Sequence, residues 1–223
     1  MVTTKLPVNA VIIGPPGAGK GTQAERVAAD RGVPKISTGE MLREAIQQGT
    51  ELGRRAKATV EQGELVGDDL MIDIVRRRLD RPDARGGFVL DGFPRTVAQA
   101  EALDQMLAGR GPLVVIEIGV LGRELMRRMA ARRICSKCGA NAGPGDVTCR
   151  RCGGELVLRS DDEDASVRDR RLQVYARQTK PIVHYYRNRP TFRSIDGVQS
   201  PDRVAEDIGE AIDSALQTAG STS

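Results

Sequence analysis

The chain has no tryptophan, three phenylalanines, three tyrosines and a single histidine among its 223 residues. With so few rings there is no stacking platform for bases, so nucleic acid is not an expected partner. His184 stands beside Tyr185 and Tyr186 on a presumed helix. With no second histidine and no nucleophile partnered to it, a hydrolytic triad has no support, and a packing or surface role is expected. No stretch of about eighteen apolar residues occurs, and residues 1–7 lack the basic-then-apolar order of a secretory signal, so a cytoplasmic protein with no membrane span is expected. The four cysteines all fall between Cys135 and Cys152, too local for a disulfide framework. Charge of either sign is not in marked excess: 34 Lys and Arg against 30 Asp and Glu suit an anionic substrate without specifying one.

What is present begins with Val11-Ile12-Ile13-Gly14-Pro15-Pro16-Gly17-Ala18-Gly19-Lys20-Gly21-Thr22. An apolar strand passes through a glycine-rich turn into a helix start. Backbone N–H groups freed by Gly17, Ala18 and Gly19 can converge on an anion, the helix N-terminus favours negative charge, and Lys20 adds a cation. The spacing is that of a phosphate loop, except that Gly21 stands where Ser or Thr is expected and the hydroxyl comes one residue later, at Thr22. The run GPPGAGKGT resembles the nucleoside monophosphate kinase form of the loop, that of adenylate kinases above all.

Short apolar runs at 8–13, 88–90 and 113–118 read as central parallel strands covered on both faces. Helical spacing recurs at 20–31, 69–80 and 96–108, and Ser200-Pro201 opens a last helix carrying Val204, Ile208, Ile212 and Leu216. Strands alternating with helices imply an open α/β sheet. Two stretches break the alternation. Residues 37–66 are polar helix material with turn glycines, and residues 133–158 form a glycine- and cysteine-rich knuckle; such loop excursions are where α/β folds place substrate chemistry.

Asp91 ends a buried strand, at the sheet edge where ligands of open α/β folds collect. There it suits a magnesium site, or it is a turn aspartate leading into a helix. It opens the string Asp91-Gly92-Phe93-Pro94-Arg95-Thr96, with Gln99 a helical turn on. A second string, Ile36-Ser37-Thr38-Gly39-Glu40-Met41-Leu42-Arg43, lies in the first excursion. With GPPGAGKGT these occur in the order and spacing of adenylate kinases, and the resemblance covers almost the whole chain.

That resemblance implies a three-layer P-loop fold, with a parallel sheet flanked by helices. It divides the chain into a core of 1–36, 67–132 and 163–218, an AMP-binding insertion at 37–66, a zinc-binding lid at 133–162 and a disordered tail at 219–223. It places AMP against Thr38, Arg43, the backbone of Glu64, Leu65 and Val66, the segment Gly92, Phe93, Pro94 and Arg95, and Gln99. The residue chemistry agrees, since Arg43 and Arg95 are fork-shaped permanent cations and Gln99 offers an amide to a base edge. ATP falls to the loop residues 17–22 and to Arg128 and Arg132, whereas Arg123, Arg127 and Arg133 read as a solvated face. Arg159-Ser160-Asp161-Asp162 matches the family's Arg-x-Asp-Asp string. The next family arginine is Arg170 counting forward from Arg159 or Arg171 counting back from Leu172 and Tyr175, with Arg171 favoured. Gln199 lies in a loop similar to the family's ATP-base loop. The expected reaction joins ATP and AMP to give two ADP, with Mg²⁺, in a monomer. Lys20, Asp91, Arg95, Arg132, Arg159 and Arg171 or Arg170 form the catalytic set. No base is needed, because the attacking phosphate oxygen is already ionised.

Cys135-x-x-Cys138 and Cys149-x-x-Cys152 are two CxxC turns that can complete a tetrahedron around one ion. Zinc is the expected ion, with iron the other candidate for a four-sulfur site. Too few large apolar residues lie between 133 and 157 to build a core, so the ion replaces one. The knuckle is shorter than the family's zinc lids and lacks the tyrosine and asparagine-proline run near the ATP base, so looser donor-base selectivity is expected. Two rival readings remain: a kinase for UMP or CMP, and a nucleotide-switched regulator that uses Lys137, Arg150 and Arg151 of the knuckle to bind a partner.

Overall fold

A computed structural model of the chain describes residues 8–143 and 145–220. Residues 1–7, read above for a signal pattern, and residues 221–223 of the expected tail lie outside that range. Five strands, β1 (Asn9–Ile13), β2 (Lys35–Ser37), β3 (Phe88–Asp91), β4 (Leu113–Gly119) and β7 (Phe192–Asp196), form one parallel sheet in the order β2-β3-β1-β4-β7. Helix α1 (Lys20–Arg31) carries the chain from β1 past β3 to β2, while β4 and β7 extend the sheet the other way. The order therefore reverses at β1, and the carboxyl ends of β1 and β3 open side by side as a ligand crevice.

Alternation along the central strands divides the core into two layers. Val11, Ile13, Phe88, Leu90 and Val115 face one side, against α4 (Asp68–Leu79), α5 (Val97–Met106) and α8 (Pro181–Tyr186). Ala10, Ile12, Val89, Val114 and Ile116 face the other, against α1 and α9 (Pro201–Gly220), whose Val204, Ile208 and Ile212 are buried at four-residue intervals. Buried apolar side chains on both faces explain why these strands read as continuous apolar runs. Helix α9 continues through Gly220, so positions 219 and 220 are helical rather than part of a disordered tail.

The two excursions stand over the carboxyl edge of the sheet. Residues 38–61 form a helical hairpin of α2 (Thr38–Gln47) and α3 (Glu51–Glu61). Gly53 allows the crossing, since a Cβ there would lie 2.1 Å from the Ala45 carbonyl oxygen. After α6 (Gly122–Ala130), the cysteine segment is a two-stranded antiparallel ribbon of β5 (Arg133–Cys135) and β6 (Leu156–Leu158). Helix α7 (Ala165–Val174) then runs through a π-helical turn, Tyr175–Thr179, into α8. Among the described residues no helix is long and apolar enough to cross a membrane.

Candidate functional site

The loop between β1 and α1 is shaped by glycines that no other residue replaces. Gly17 has φ +84°, and a Cβ there would sit 2.9 Å from the Leu125 carbonyl oxygen of α6. Gly19, at φ +88°, caps α1 without a side-chain partner, so the first-turn N–H groups remain available to an anion. Lys20 folds back, its Nζ donating to the Pro15 carbonyl at 2.8 Å. Burial pushes its ammonium down to about 7, opposed by Asp91 and reinforced by Arg95, Arg132 and Arg171. The position of Gly21 is tightly surrounded. A Cβ there would meet Asn141 Nδ2 at 3.1 Å and Asp91 Oδ2 at 3.3 Å, so a side chain fits only if those neighbours shift.

Asp91 is buried at the end of β3, in register with Ile12 of β1 and Ser37 of β2. Ser37 Oγ donates to its Oδ2 at 3.1 Å. The chain then turns at Gly92, φ +82°, where a Cβ would fall 2.9 Å from both Arg95 Nη2 and Thr38 Oγ1. Those two side chains share one acceptor: Arg95 Nε and Thr38 Oγ1 donate to the Gly92 carbonyl at 2.7 and 2.8 Å. Gln99 accepts from the Arg95 backbone N–H at 2.8 Å and donates to Asp68 at 2.7 Å, which leaves one lone pair and one N–H for a ligand. Glu64, Leu65 and Val66 line the same pocket, together with Leu42 and Met71. Phe93 and Pro94 are buried, and Pro94 lines the larger cavity that includes the phosphate loop.

The arginines are held by two adjacent carboxylates. Arg159 forms a bidentate pair with Asp161, Arg132 donates to Asp162 at 2.5 and 2.7 Å, and Arg171 bonds both Asp162 and Asp161. Burial raises the Asp161 carboxyl, but Arg159 and Arg171 prevail and hold it well below the usual carboxylate range. Arg43 and Arg171 are pushed down to about 9 by burial and by Arg159, against Asp161, and stay charged at neutral pH. Lys20, Arg43, Arg95, Arg132, Arg159 and Arg171 thus share Asp91, Asp161 and Asp162, with Glu40 beside Arg43, so cationic side chains outnumber carboxylates here. Such crowding without an anion costs free energy. It is arranged around a cavity of about 640 Å³ that runs from the phosphate loop to Arg43, within the usual ~300–1,000 Å³ for a small-molecule site.

Three sequence candidates lie at the margin. Arg170 is exposed and pairs with Glu64, pointing away from the carboxylates that Arg171 engages. Gly63, at φ +74°, is what admits Arg171, since a Cβ would come 2.8 Å from its Cγ. Arg128 lines the cavity, fixed by Glu124 at 2.7 Å and the Gly197 carbonyl at 3.0 Å. Gln199 follows in that loop, but its amide bonds Asp207 and the Asp196 carbonyl. Arg127 is exposed on Glu124, Arg133 is exposed on the Asp146 carbonyl, and His184 is exposed.

The sulfurs of Cys135, Cys138, Cys149 and Cys152 all lie within 4.8 Å of one another, with closest separations of 3.5 to 3.7 Å. A tetrahedral ion with bonds of ~2.3 Å requires edges of about 3.8 Å, whereas a disulfide would need about 2.05 Å. The four thiols therefore fit one metal ion.

The family profile for adenylate kinase matches residues 12–191, which span the phosphate loop, both excursions and α8. The chain belongs to the adenylate kinase family. It is 48% identical over 213 residues to an adenylate kinase of Archaeoglobus fulgidus, covering 92% of this chain and 97% of that protein. It is 49% identical to one of Moorella thermoacetica, covering 91% and 96%, and 44% identical to one of Rhizobium etli, covering 92% and 99%. Membership makes the chain a phosphotransferase. Within that frame the structure adds residues that sequence reading left out of the site: Asp161 and Asp162 as arginine holders, Asp68 behind Gln99, and Glu40 and Asn141 across from each other. The Asp-Asp string was the one legible signal among them.

Proposed function

We propose that the chain transfers the terminal phosphoryl group of ATP to AMP, giving two ADP, and runs the reaction in reverse. The observation that carries this reading is the excess of cationic over anionic side chains around one cavity, whose described lining contains no histidine and whose one carboxylate, Asp91, is placed for a metal ion rather than as a base. A reaction between two polyanions needs this kind of site. An ionised AMP oxygen attacks the γ-phosphorus, the bond to the β–γ bridging oxygen breaks, and no proton has to move. Lys20 and the first turn of α1 hold the ATP phosphates, while Arg43 and Arg95 hold the AMP phosphate. Arg132, Arg159 and Arg171 flank the group in transit.

Residues 37–66 serve as the AMP-binding insertion and 133–162 as a lid on the rest of the chain. The π-helical turn borders the cavity through Tyr175 and Thr179, where such turns often occur. Thr38, Gln99 and the pocket wall of Leu42, Val66 and Met71 receive the AMP base. Arg128 and the Gly197–Gln199 loop flank the ATP base. Asp91 and the Thr22 hydroxyl, both lining the cavity, would hold Mg²⁺, which neutralises phosphate charge when bound. Zinc in the four-cysteine site substitutes for the apolar core that the lid lacks.

A coupled assay of ADP formation, run with AMP, UMP, CMP and GMP as acceptors, tests the reading. Turnover with AMP is expected to exceed the others by at least tenfold. Faster turnover with UMP or CMP would replace AMP as the acceptor, and no ADP from any pair would overturn the assignment.

A further inference from the structure

Arg43 belongs to α2, yet its guanidinium is held from across the cleft. Nε donates to the Gly139 carbonyl at 3.0 Å and Nη2 to Asn141 Oδ1 at 3.3 Å, both on the cysteine lid. Its third nitrogen, Nη1, lies 3.1 Å from where a Gly39 Cβ would be, with Arg95 Nη2 3.9 Å from the same point. Two edges of the guanidinium face the lid, and the remaining one faces the pocket that Arg95 shares.

Asn141 uses both ends of its amide. While Oδ1 accepts from Arg43, Nδ2 donates to Glu40 Oε1 at 2.9 Å. Glu40 is buried and anchored by Lys35 at 2.8 Å, so that acceptor is fixed. Positions 40 and 43 share a helix face, one presenting an acceptor and the other a donor, and a side-chain amide satisfies both without adding charge. The same amide abuts the phosphate loop, 3.1 Å from the Cβ position of Gly21. One lid residue therefore touches the acceptor helix and borders the donor loop.

We propose that Asn141 is a positioning residue that orients Arg43 toward the AMP phosphate when the lid is seated, and so couples AMP binding to ATP binding. The inference rests on the assignment of Arg43 to AMP. With Gly139 O and Asn141 Oδ1 already on Arg43, ATP bound beneath the lid would hold these contacts in place and so fix the free edge of Arg43 before the acceptor arrives. By thermodynamic reciprocity, AMP on Arg43 favours the seated lid and tightens ATP equally. Asn141 touches no reacting atom, so its effect belongs to the coupling rather than to the chemistry.

The test measures AMP affinity by calorimetry in the full-length, zinc-loaded protein, with and without saturating non-hydrolysable ATP analogue. The ratio of the two dissociation constants is the coupling factor. Asn141→Ala is expected to lower that factor about three- to tenfold toward one, with AMP affinity changing less without the analogue than with it. Asn141→Asp, isosteric and therefore neutral for packing, is expected to lower it too, because its carboxylate repels Glu40 and competes with phosphate for Arg43. Arg151→Ala serves as control. Arg151 joins the lid to Glu44 of α2 at 3.8 Å without touching Arg43, so the factor should hold. A factor of one in the parent, an unchanged factor in both Asn141 variants, or an equal loss in Arg151→Ala would overturn the proposal alone. A parent protein that fails to bind AMP would overturn the acceptor assignment with it.

Discussion

Replacing Lys20 with methionine isolates the charge state of the phosphate loop. In the ligand-free cleft the Lys20 ammonium is pushed down to about 7 by burial, with Arg95, Arg132 and Arg171 adding to that push and Asp91 opposing it insufficiently. At pH 8 only ~0.1 proton then resides on Lys20, whereas beside a triphosphate the ordinary lysine range near 10.4 is restored and the site is full. Binding of MgATP at pH 8 should therefore take up ~0.9 proton per site, falling to ~0.1 at pH 6, with a midpoint at about 7. Phosphate ionisation, half complete near pH 6, contributes little at pH 8.

Calorimetry in Hepes and Tris, whose ionisation enthalpies differ, reads the proton count directly. Lys20→Met should show almost none. The same displacement fixes the pH dependence of stability. Between about 7 and 10.5 the unfolded chain holds a proton on Lys20 that the folded chain has released, so folding gains stability as pH rises, by at most ~1.4 kcal/mol per unit. The ligand-free methionine variant should accordingly melt above the parent at pH 6 to 7, and the gap should close by pH 10. Equal proton uptake by parent and variant at pH 8, or a melting gap that widens with pH, would refute the reasoning.

Asp161→Asn leaves Arg159 and Arg171 short of a buried partner and should lower ligand-free stability by ~3 kcal/mol, a loss that shrinks when ATP and AMP analogues supply phosphate to the same arginines; thermal melts with and without analogues check it. Arg171→Ala should reduce kcat by at least a hundredfold, whereas Arg170→Ala, which removes only an exposed pair with Glu64, should stay within threefold of the parent. Removing metal with a chelator should loosen residues 133–158 and lower the melting temperature while AMP still binds; an unchanged melt would exclude a structural metal.

Much of this molecule was legible because its signals are local. Strands β1, β3 and β4 announce themselves as apolar runs since helices cover both faces, and the phosphate loop is read from glycines whose necessity is steric. Strands β2 and β7 were not read: each is an edge strand, one three residues long, the other half exposed with Arg193 and Ser194 inside it. The choice between Arg170 and Arg171 turned on one inserted residue, which counting along the chain left open. Neighbours on a helix point about 100° apart, and the carboxylates that receive Arg171 lie nine and ten residues back. Asn141 gave no signal, standing in a glycine-rich segment without periodicity. Its meaning comes from Glu40 and Arg43, about a hundred residues earlier. The residues found from sequence are those whose chemistry faces a phosphate, a base or a metal ion, partners known in advance from the motifs. The residues missed answer to another side chain: Asp68 to Gln99, Asp161 and Asp162 to the arginines, and Asn141 to Glu40 and Arg43, which it meets only where the lid rests on α2.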